Sequence, residues 1–322
     1  MEKPYVVGID VGGQSAKIGI VDARGNVLKQ TAIRSNTQST AEDFIKDLAD
    51  AIIKLLDKEY STSQMRGIGV GAPNANYYTG CIESAVNLSW TKDRVVPFAQ
   101  MLKDAVGIPV SLTNDANAAA VGEMTYGAAR GMKNFIMLTL GTGVGSGIVI
   151  NGDVVYGHDG FAGELGHTCI VRNNGRLCGC GKKGCLEAYA SATGVARSAR
   201  ELLELTEEQS LLRNIPPENI SSKDVYEAAV EGDELAKRIF RTTGRMLGEK
   251  LADFVAFSSP EAIILFGGLT KAGDLIYNPI VEAMNANLMP LWRGKVKVLF
   301  STLNESDAAI LGASALGWEI QK

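Results

Sequence analysis

YVVGIDVGGQSAKIGIVD, residues Tyr5–Asp22, is a pair of apolar β-type runs joined by a glycine turn, and the turn DARGN leads on to a third run, VLKQTAI. It reads as a β-meander opening on a Gly-rich turn. The same layout returns in NFIMLTLGTGVGSGIVING, residues Asn134–Gly152. There Phe135–Leu140 and Gly147–Ile150 flank the glycines, and Asn151-Gly152 makes a hairpin turn before Val154 and Val155. The layout thus occurs twice in 322 residues, a length that suggests about two domains at ~150 residues each.

Around each meander helix and strand alternate. Thr40–Tyr60 is amphipathic with a Thr cap and an acidic first turn, Gly67–Gly71 is a strand, Pro97–Val106 a helix, and Val110–Thr113 a strand ending at Asn114-Asp115. After the second meander the pattern predicts helices at 187–205, 222–231 and 234–257, a strand at 262–266 ending in Gly267-Gly268, a helix at 275–288, a strand at 295–300 and a last helix from Ser306 to Trp318. Polar Thr206–Ser221, with Pro216-Pro217, reads as a surface excursion. The expected division is 1–118, completed by a C-terminal helix within 306–322, and a larger unit at 119–305. No Pro/Ser linker separates them, so they are expected to pack across a cleft.

Composition excludes several classes. With 46% hydrophobic and 21% charged residues the chain can bury a sizeable core. The formal charge, 32 − 36 = −4, comes without a basic block, so no nucleic-acid partner is expected. There is no run of ~18 apolar residues, and MEKP passes directly into a strand, so neither membrane nor export is expected and the location reads as cytoplasmic. Five cysteines, an odd number and mostly crowded into one loop, do not form the disulfide framework of a secreted domain.

The glycine turns sit between strands, whereas Rossmann and Walker A loops lead from strand to helix, and no GK[ST] occurs. They read as glycine hairpins whose backbone N–H groups can approach phosphate oxygens because no Cβ intervenes. A second concentration of chemistry is HTCIVRNNGRLCGCGKKGC, His167–Cys185, which holds four of the 5 cysteines and one of the 2 histidines. His167, Cys178, Cys180 and Cys185 are spaced H-x10-C-x-C-x4-C, and three thiolates with one imidazole make a closed tetrahedral set for structural Zn²⁺. The alternative is free reduced thiols in a glycine loop.

GIDVGG at Gly8–Gly13, TNDANAAAVGE at Thr113–Glu123, LGTGVGSG at Leu140–Gly147, GELGH at Gly163–His167, CGCGKKGCLEAYAS at Cys178–Ser191 and LFGGL at Leu265–Leu269 run in order through nearly the whole chain. Together they resemble the ROK family of sugar kinases and sugar-responsive repressors. The resemblance implies an actin-like, hexokinase-like (ribonuclease H-like) α/β fold of two domains with the active site in the cleft. It further implies ATP-dependent phosphorylation of a hexose with Mg²⁺, and assembly as a homodimer is expected as well. Cys169 is not required by the family pattern.

The resemblance assigns roles to residues. Asp115 would take the proton from the sugar hydroxyl; read alone, it is also a helix N-cap. Asn114 would hold the sugar beside it, and Asn87, Glu164, His167 and Glu187 match positions that contact the sugar, although Glu187 also suits a helix start. Asp10 would hold Mg²⁺ directly or through water. Gly12, Gly13 and Gln14 would meet the phosphates from one domain and Gly141, Thr142 and Gly143 from the other, with Gly267 and Gly268 completing the nucleotide site. Two departures stand out: Gln14-Ser15-Ala16 follows the glycines where Thr is usual, and Asn74 occupies a place commonly held by Gly. The expected function is a glucokinase acting on the 6-hydroxyl of glucose. Kinases for N-acetylglucosamine, N-acetylmannosamine or fructose, and a non-catalytic sugar sensor, are the alternatives. Only seven residues precede Gly8, too few for a helix-turn-helix domain, which favours the enzyme.

Overall fold

Val6, Val7, Ile9 and Val11 on one strand and Ala16, Ile18, Ile20 and Val21 on the next are all buried, the near-continuous apolar pattern of strands covered on both faces. The computed structural model describes residues 3–304 and 307–320. Its strands are β1 (Tyr5–Val11), β2 (Ser15–Asp22), β3 (Val27–Arg34), β4 (Met65–Gly71), β5 (Ala75–Asn76), β6 (Cys81–Glu83), β7 (Val95–Val96), β8 (Val110–Thr113), β9 (Phe135–Leu140), β10 (Val144–Ile150), β11 (Asp153–Val154), β12 (Ala262–Phe266) and β13 (Lys297–Phe300). Its helices are α1 (Ala41–Leu56), α2 (Phe98–Val106), α3 (Asp115–Tyr126), α4 (Glu187–Ala190), α5 (Ala192–Leu205), α6 (Ser222–Val230), α7 (Glu234–Ser258), α8 (Asp274–Asn287) and α9 (Ala308–Glu319).

The repeated meander is real at the level of sheet order. One sheet runs β3-β2-β1-β4-β8 and another β11-β10-β9-β12-β13, each an antiparallel meander extended by two parallel strands. Asn151 and Gly152 both have positive φ, 56° and 90°, as a tight β10–β11 hairpin requires. Contacts divide the chain into a first unit, up to Met132 with Gly147–Gly163 and everything from Ser301 onward, and a second, Lys133–Ser146 with Glu164–Phe300. The division therefore differs from a cut after residue 118, which would fall inside α3. That helix belongs whole to the first unit because Gly122 lies against Gly312 of α9, where an added Cβ would stand 2.6 Å from the Gly312 Cα.

Three other expectations change in detail. The helix predicted at 187–205 breaks into α4 and α5 at Ser191, which is extended (ψ 168°) and caps α5 by accepting from Gly194 N. The segment 206–221 is not merely a surface excursion: Leu212 and Ile220 are buried, and Ser210 donates to the Asp233 carboxylate that caps α7. Ser306, the expected start of the last helix, lies outside the described residues. Among the described residues no helix is long and apolar enough to cross a membrane.

The last helix is apolar all round and nearly all of it is buried, as a helix enclosed by other elements must be. It lies unusually close to the first sheet. A Cβ on Gly8 would stand 2.2 Å from the Ile310 carbonyl oxygen, and one on Gly69 only 1.9 Å from that of Ala313. These glycines are required by the approach of a helix backbone, which cannot move aside as a flexible side chain can. Gly69→Ala is expected to destabilise the first unit by about 3 kcal/mol, the upper part of the overpacking range. Chemical denaturation followed by circular dichroism measures this, and a loss under about 1 kcal/mol would show that α9 can retreat from the sheet.

Candidate functional site

In the first unit the catalytic candidates stand at strand ends. Asp10 sits near the end of β1, paired with Lys17 on β2 and Gly71 on β4. Burial, and then the negative charge of Asp115, push its carboxyl up to about 6, with Lys17 opposing. The turn that follows is closed by Gly12 N donating to Ser15 O at 3.0 Å. Gln14 is exposed on this turn, and its carbonyl accepts from Ser35 N at 3.1 Å. Gly13 lies against Asn87, a predicted sugar contact: a Cβ there would meet the Asn87 carbonyl oxygen at 3.0 Å and the Asn87 Cβ at 3.2 Å.

The capping reading of Asp115 is corrected by the structure. The N-cap of α3 is Asn114, whose side-chain oxygen accepts from Ala116 N at 2.8 Å. Asp115 is the first helical residue, and its Oδ1 accepts from the same N–H at 2.8 Å. Asn and Asp serve equally well as caps, so the one whose backbone remains extended after β8 takes the position. The side chain of Asp115 is open to solvent at its tip, yet the protein mass around it still raises its pKa; the hydrogen bond from Ala116 opposes this. Asn74 has φ 51°, a left-handed conformation that Gly favours and Asn tolerates best among the others. Its amide donates to the carbonyl oxygen of Glu83 at 3.0 Å, so the departure preserves the turn.

In the second unit Gly141–Gly143 joins β9 to β10. Gly141 O accepts from Ala192 N at 2.8 Å and Thr142 O from Thr193 Oγ1 at 2.9 Å, which fastens the turn to the start of α5. Gly267, at φ 110°, follows β12 and lies against the end of β9, 2.7 Å from Leu140 O were a Cβ added. Beside Gly268 is a cavity of about 340 Å³ lined by Tyr226, Phe240, Leu269, Lys223 and Lys271.

Glu187, the first residue of α4, connects this turn to the cysteine loop. One carboxylate oxygen accepts from Val144 N at 3.0 Å, and it would meet a Cβ on Gly143 at 2.5 Å. The other accepts from the Cys178 thiol at 3.3 Å and lies 4.0 Å from His167 Nδ1. Glu164 Oε2 is 3.8 Å from His167 Nε2. Three of the predicted sugar-contacting residues of this unit thus come together, and one of them is also a predicted metal ligand.

The donor atoms of His167, Cys178, Cys180 and Cys185 all lie within 4.8 Å of one another. Tetrahedral zinc at ~2.3 Å from sulfur and ~2.05 Å from nitrogen needs S···S edges of about 3.8 Å and N···S edges of about 3.6 Å. The structure has Cys180 Sγ and Cys185 Sγ 3.7 Å apart and His167 Nδ1 3.6 Å from Cys178 Sγ. Burial, with the Cys180 and Glu187 side chains adding, pushes the Cys178 thiol up to about 12, so its thiolate form calls for a cation. The residues present therefore fit zinc. Cys169 stands outside the cluster, as the family pattern implied.

Sequence reasoning missed Arg176. Its guanidinium binds Glu201 at 2.5 Å, the carbonyls of Ala188 and Gly194 at 2.9 and 3.3 Å and Ser198 Oγ at 3.0 Å, and lies 4.5 Å from the Tyr189 ring centre. It ties the cysteine loop to α4 and α5 independently of any metal. Nothing in the local pattern distinguishes this arginine, because all its partners are distant in sequence.

The model of the ROK family matches residues 6–319. A glucokinase of Halalkalibacterium halodurans is 37% identical over all of this chain and 96% of its own, and one of Thermotoga maritima 35% identical over 98% of each. Among solved structures, a ROK family glucokinase from Streptomyces griseus in complex with glucose and AMPPNP superposes with a TM-score of 0.80 at 33% identity, over 98% of this chain and 100% of that one.

An unfolded aspartate ionises near 3.8, whereas folded Asp10 keeps its proton up to about 6. Between these values the folded state binds more protons, so stability falls as pH rises through this window and remains lowered above it. In the absence of divalent cations, Asp10→Asn is expected to raise Tm at neutral pH and to lose that advantage as pH falls below about 4. A pH series of thermal melts checks it, and identical Tm values at neutral pH would contradict the assigned environment of Asp10.

Proposed function

Because the chain belongs to the ROK family, and its glucokinase relatives match it over their full length, we propose that it is an ATP-dependent hexose kinase, a glucokinase transferring the γ-phosphoryl group of ATP to the 6-hydroxyl of glucose. The fold is the actin-like, hexokinase-like α/β fold. The observation that carries the reading is that Asp10 and Asp115 lie close enough in one unit for the charge of Asp115 to raise the pKa of Asp10, with Asp10 just ahead of the glycine turn.

Asp115 accepts the proton of the attacking hydroxyl. Its pKa, raised by the surrounding protein, brings its basicity closer to the working pH than that of an ordinary surface carboxylate. Asn114 has an amide group left over from capping to hold a neighbouring hydroxyl. The N–H groups of the turns at Gly12–Gly13 and Gly141–Gly143 approach the phosphates. The cavity beside Gly268, with Tyr226 and Phe240 as apolar walls and lysines at its rim, suits a purine base. Mg²⁺, when bound, neutralises developing phosphoryl charge, and Asp10 is the residue that would hold it; burial first and the Asp115 charge second raise the pKa of this carboxylate, and a cation would favour its ionised form.

Glu164, His167, Glu187, Asn87 and Asn114 are each read as hexose contacts, since buried hydroxyl-pairing groups discriminate between epimers by ~1–3 kcal/mol each. Zinc held by His167, Cys178, Cys180 and Cys185 would be structural, because a closed set leaves no position for substrate. Its service is to fix His167 and, through the neighbouring backbone, Glu187. The use of ATP and reduced thiolates fits a cytoplasmic protein.

A hexose panel with ATP and Mg²⁺, read by coupled ADP detection, tests the reaction, and no turnover with any hexose would favour a sugar sensor. Asp115→Asn keeps the shape but cannot take a proton, so kcat should fall by at least about 100-fold while glucose affinity stays within a few-fold. A variant retaining more than about a tenth of wild-type kcat would remove Asp115 from the role of base. Cys180→Ala should lose about one equivalent of zinc and raise KM for glucose far more than KM for ATP. Wild-type protein without zinc by metal analysis, or a variant with normal glucose KM, would overturn the metal assignment.

A further inference from the structure

Ser35 follows β3, has no exposed surface, and uses every polar group it has. Its hydroxyl donates to Gly12 O at 2.5 Å and its backbone N–H to Gln14 O at 3.1 Å, so two bonds clasp the turn proposed to receive phosphate. Its own carbonyl accepts from Trp90 Nε1 at 3.0 Å. Trp90 is buried and stacked on Phe44, with ring centres 4.6 Å apart and planes 18° from parallel.

Trp90 is the anchor of the segment that carries Asn87. Thr91 Oγ1 donates to the carbonyls of Ala85 and Leu88 at 3.0 and 2.8 Å, and backbone bonds Leu88 N→Ala85 O and Thr91 N→Leu88 O close two successive turns. This segment is therefore stiff, and it touches the glycine turn directly where Asn87 lies against Gly13. The glycine turn is thus held on one side by Ser35 and on the other by Asn87, and Ser35 and Asn87 are themselves joined through Trp90.

We propose that Ser35 is a positioning residue that fixes the phosphate-binding turn against the sugar-binding segment, so that the phosphoryl donor and the hexose hydroxyl share one register. The inference rests on the kinase reading above. Ser35 itself touches neither substrate; it acts through Gly12, Gln14 and Trp90. A serine suits the position in size as well as by its hydroxyl, because Ser35 has no exposed surface and its hydroxyl is the group that holds the Gly12 carbonyl.

Ser35→Ala should raise KM for ATP by about tenfold and lower kcat by a similar factor, a loss of roughly 1.4 kcal/mol in each, while calorimetric glucose affinity stays within about twofold. Ser35→Cys, of similar volume but a weaker donor, should fall between. Trp90→Phe removes the other end of the link, and the fold loss of kcat in the double variant Ser35→Ala/Trp90→Phe should be markedly smaller than the product of the two single losses. Amide hydrogen exchange of residues 12–16 should accelerate in Ser35→Ala, a readout that needs no catalysis. Unchanged exchange there, ATP kinetics within about twofold of wild type, or a loss of glucose affinity equal to that for ATP would each overturn the proposal. A wild-type chain that phosphorylates no hexose would refute the kinase reading alone, leaving the exchange experiment to decide on Ser35.

Discussion

The first unit depends on backbone meeting backbone between α9 and the glycines of β1 and β4. Where Gly8 and Gly69 face the carbonyls of Ile310 and Ala313, the helix axis comes closer to the sheet than any side chain would permit. Gly122 and Gly312 repeat the arrangement one layer out, between α3 and α9. Asp10 leaves the end of β1 and Asp115 begins α3, so the relation between the two carboxylates is set through α9 by main-chain contacts. Such contacts have no rotamers to change, and close-packed interiors transmit rather than absorb displacement.

The features legible in the sequence are those with short-range signatures. Both meanders could be read because apolar runs, glycine turns and Asn-Gly are local signals, and the parallel strands because their Val/Ile runs are continuous. The cysteine cluster was legible from spacing and ligand chemistry together. Less was visible wherever two residues compete for one local role. Asn114 and Asp115 suit a cap equally, and only the backbone path out of β8 selects Asn114. Ser191 sits inside an otherwise helical pattern, and its break follows from a distant partner, since Ala192 N is bound by Gly141 O. Ser35 and Arg176 were not legible at all, because a residue whose importance lies in partners 12 to 55 positions away leaves no periodic trace.

The cysteine loop illustrates how two kinds of fastening divide the work. The candidate metal-ligand set of His167 and the three cysteines lies at one end, while Arg176 binds α4 and α5 at the other. Thiolate–metal bonds are strong but depend on redox state and metal supply, whereas the buried arginine is insensitive to both. Glu187 lies between them, fixed by Val144 N on one side and beside Cys178 on the other. Its orientation is therefore determined even though the loop contributes few apolar residues to the core.

The contact of each glycine turn with a residue read as a sugar contact has a consequence for how the protein can change. Gly13 lies on the main chain of Asn87, and Gly143 under the carboxylate of Glu187. The space left by each absent Cβ is thus already filled by Asn87 or Glu187. A lineage that enlarged either turn would displace Asn87 or Glu187 in the same step, and one that replaced Asn87 or Glu187 by a bulkier residue would press on a glycine turn. The size of each turn and the identity of the residue against it cannot drift separately in this architecture, and change at either place is reached by paired substitutions.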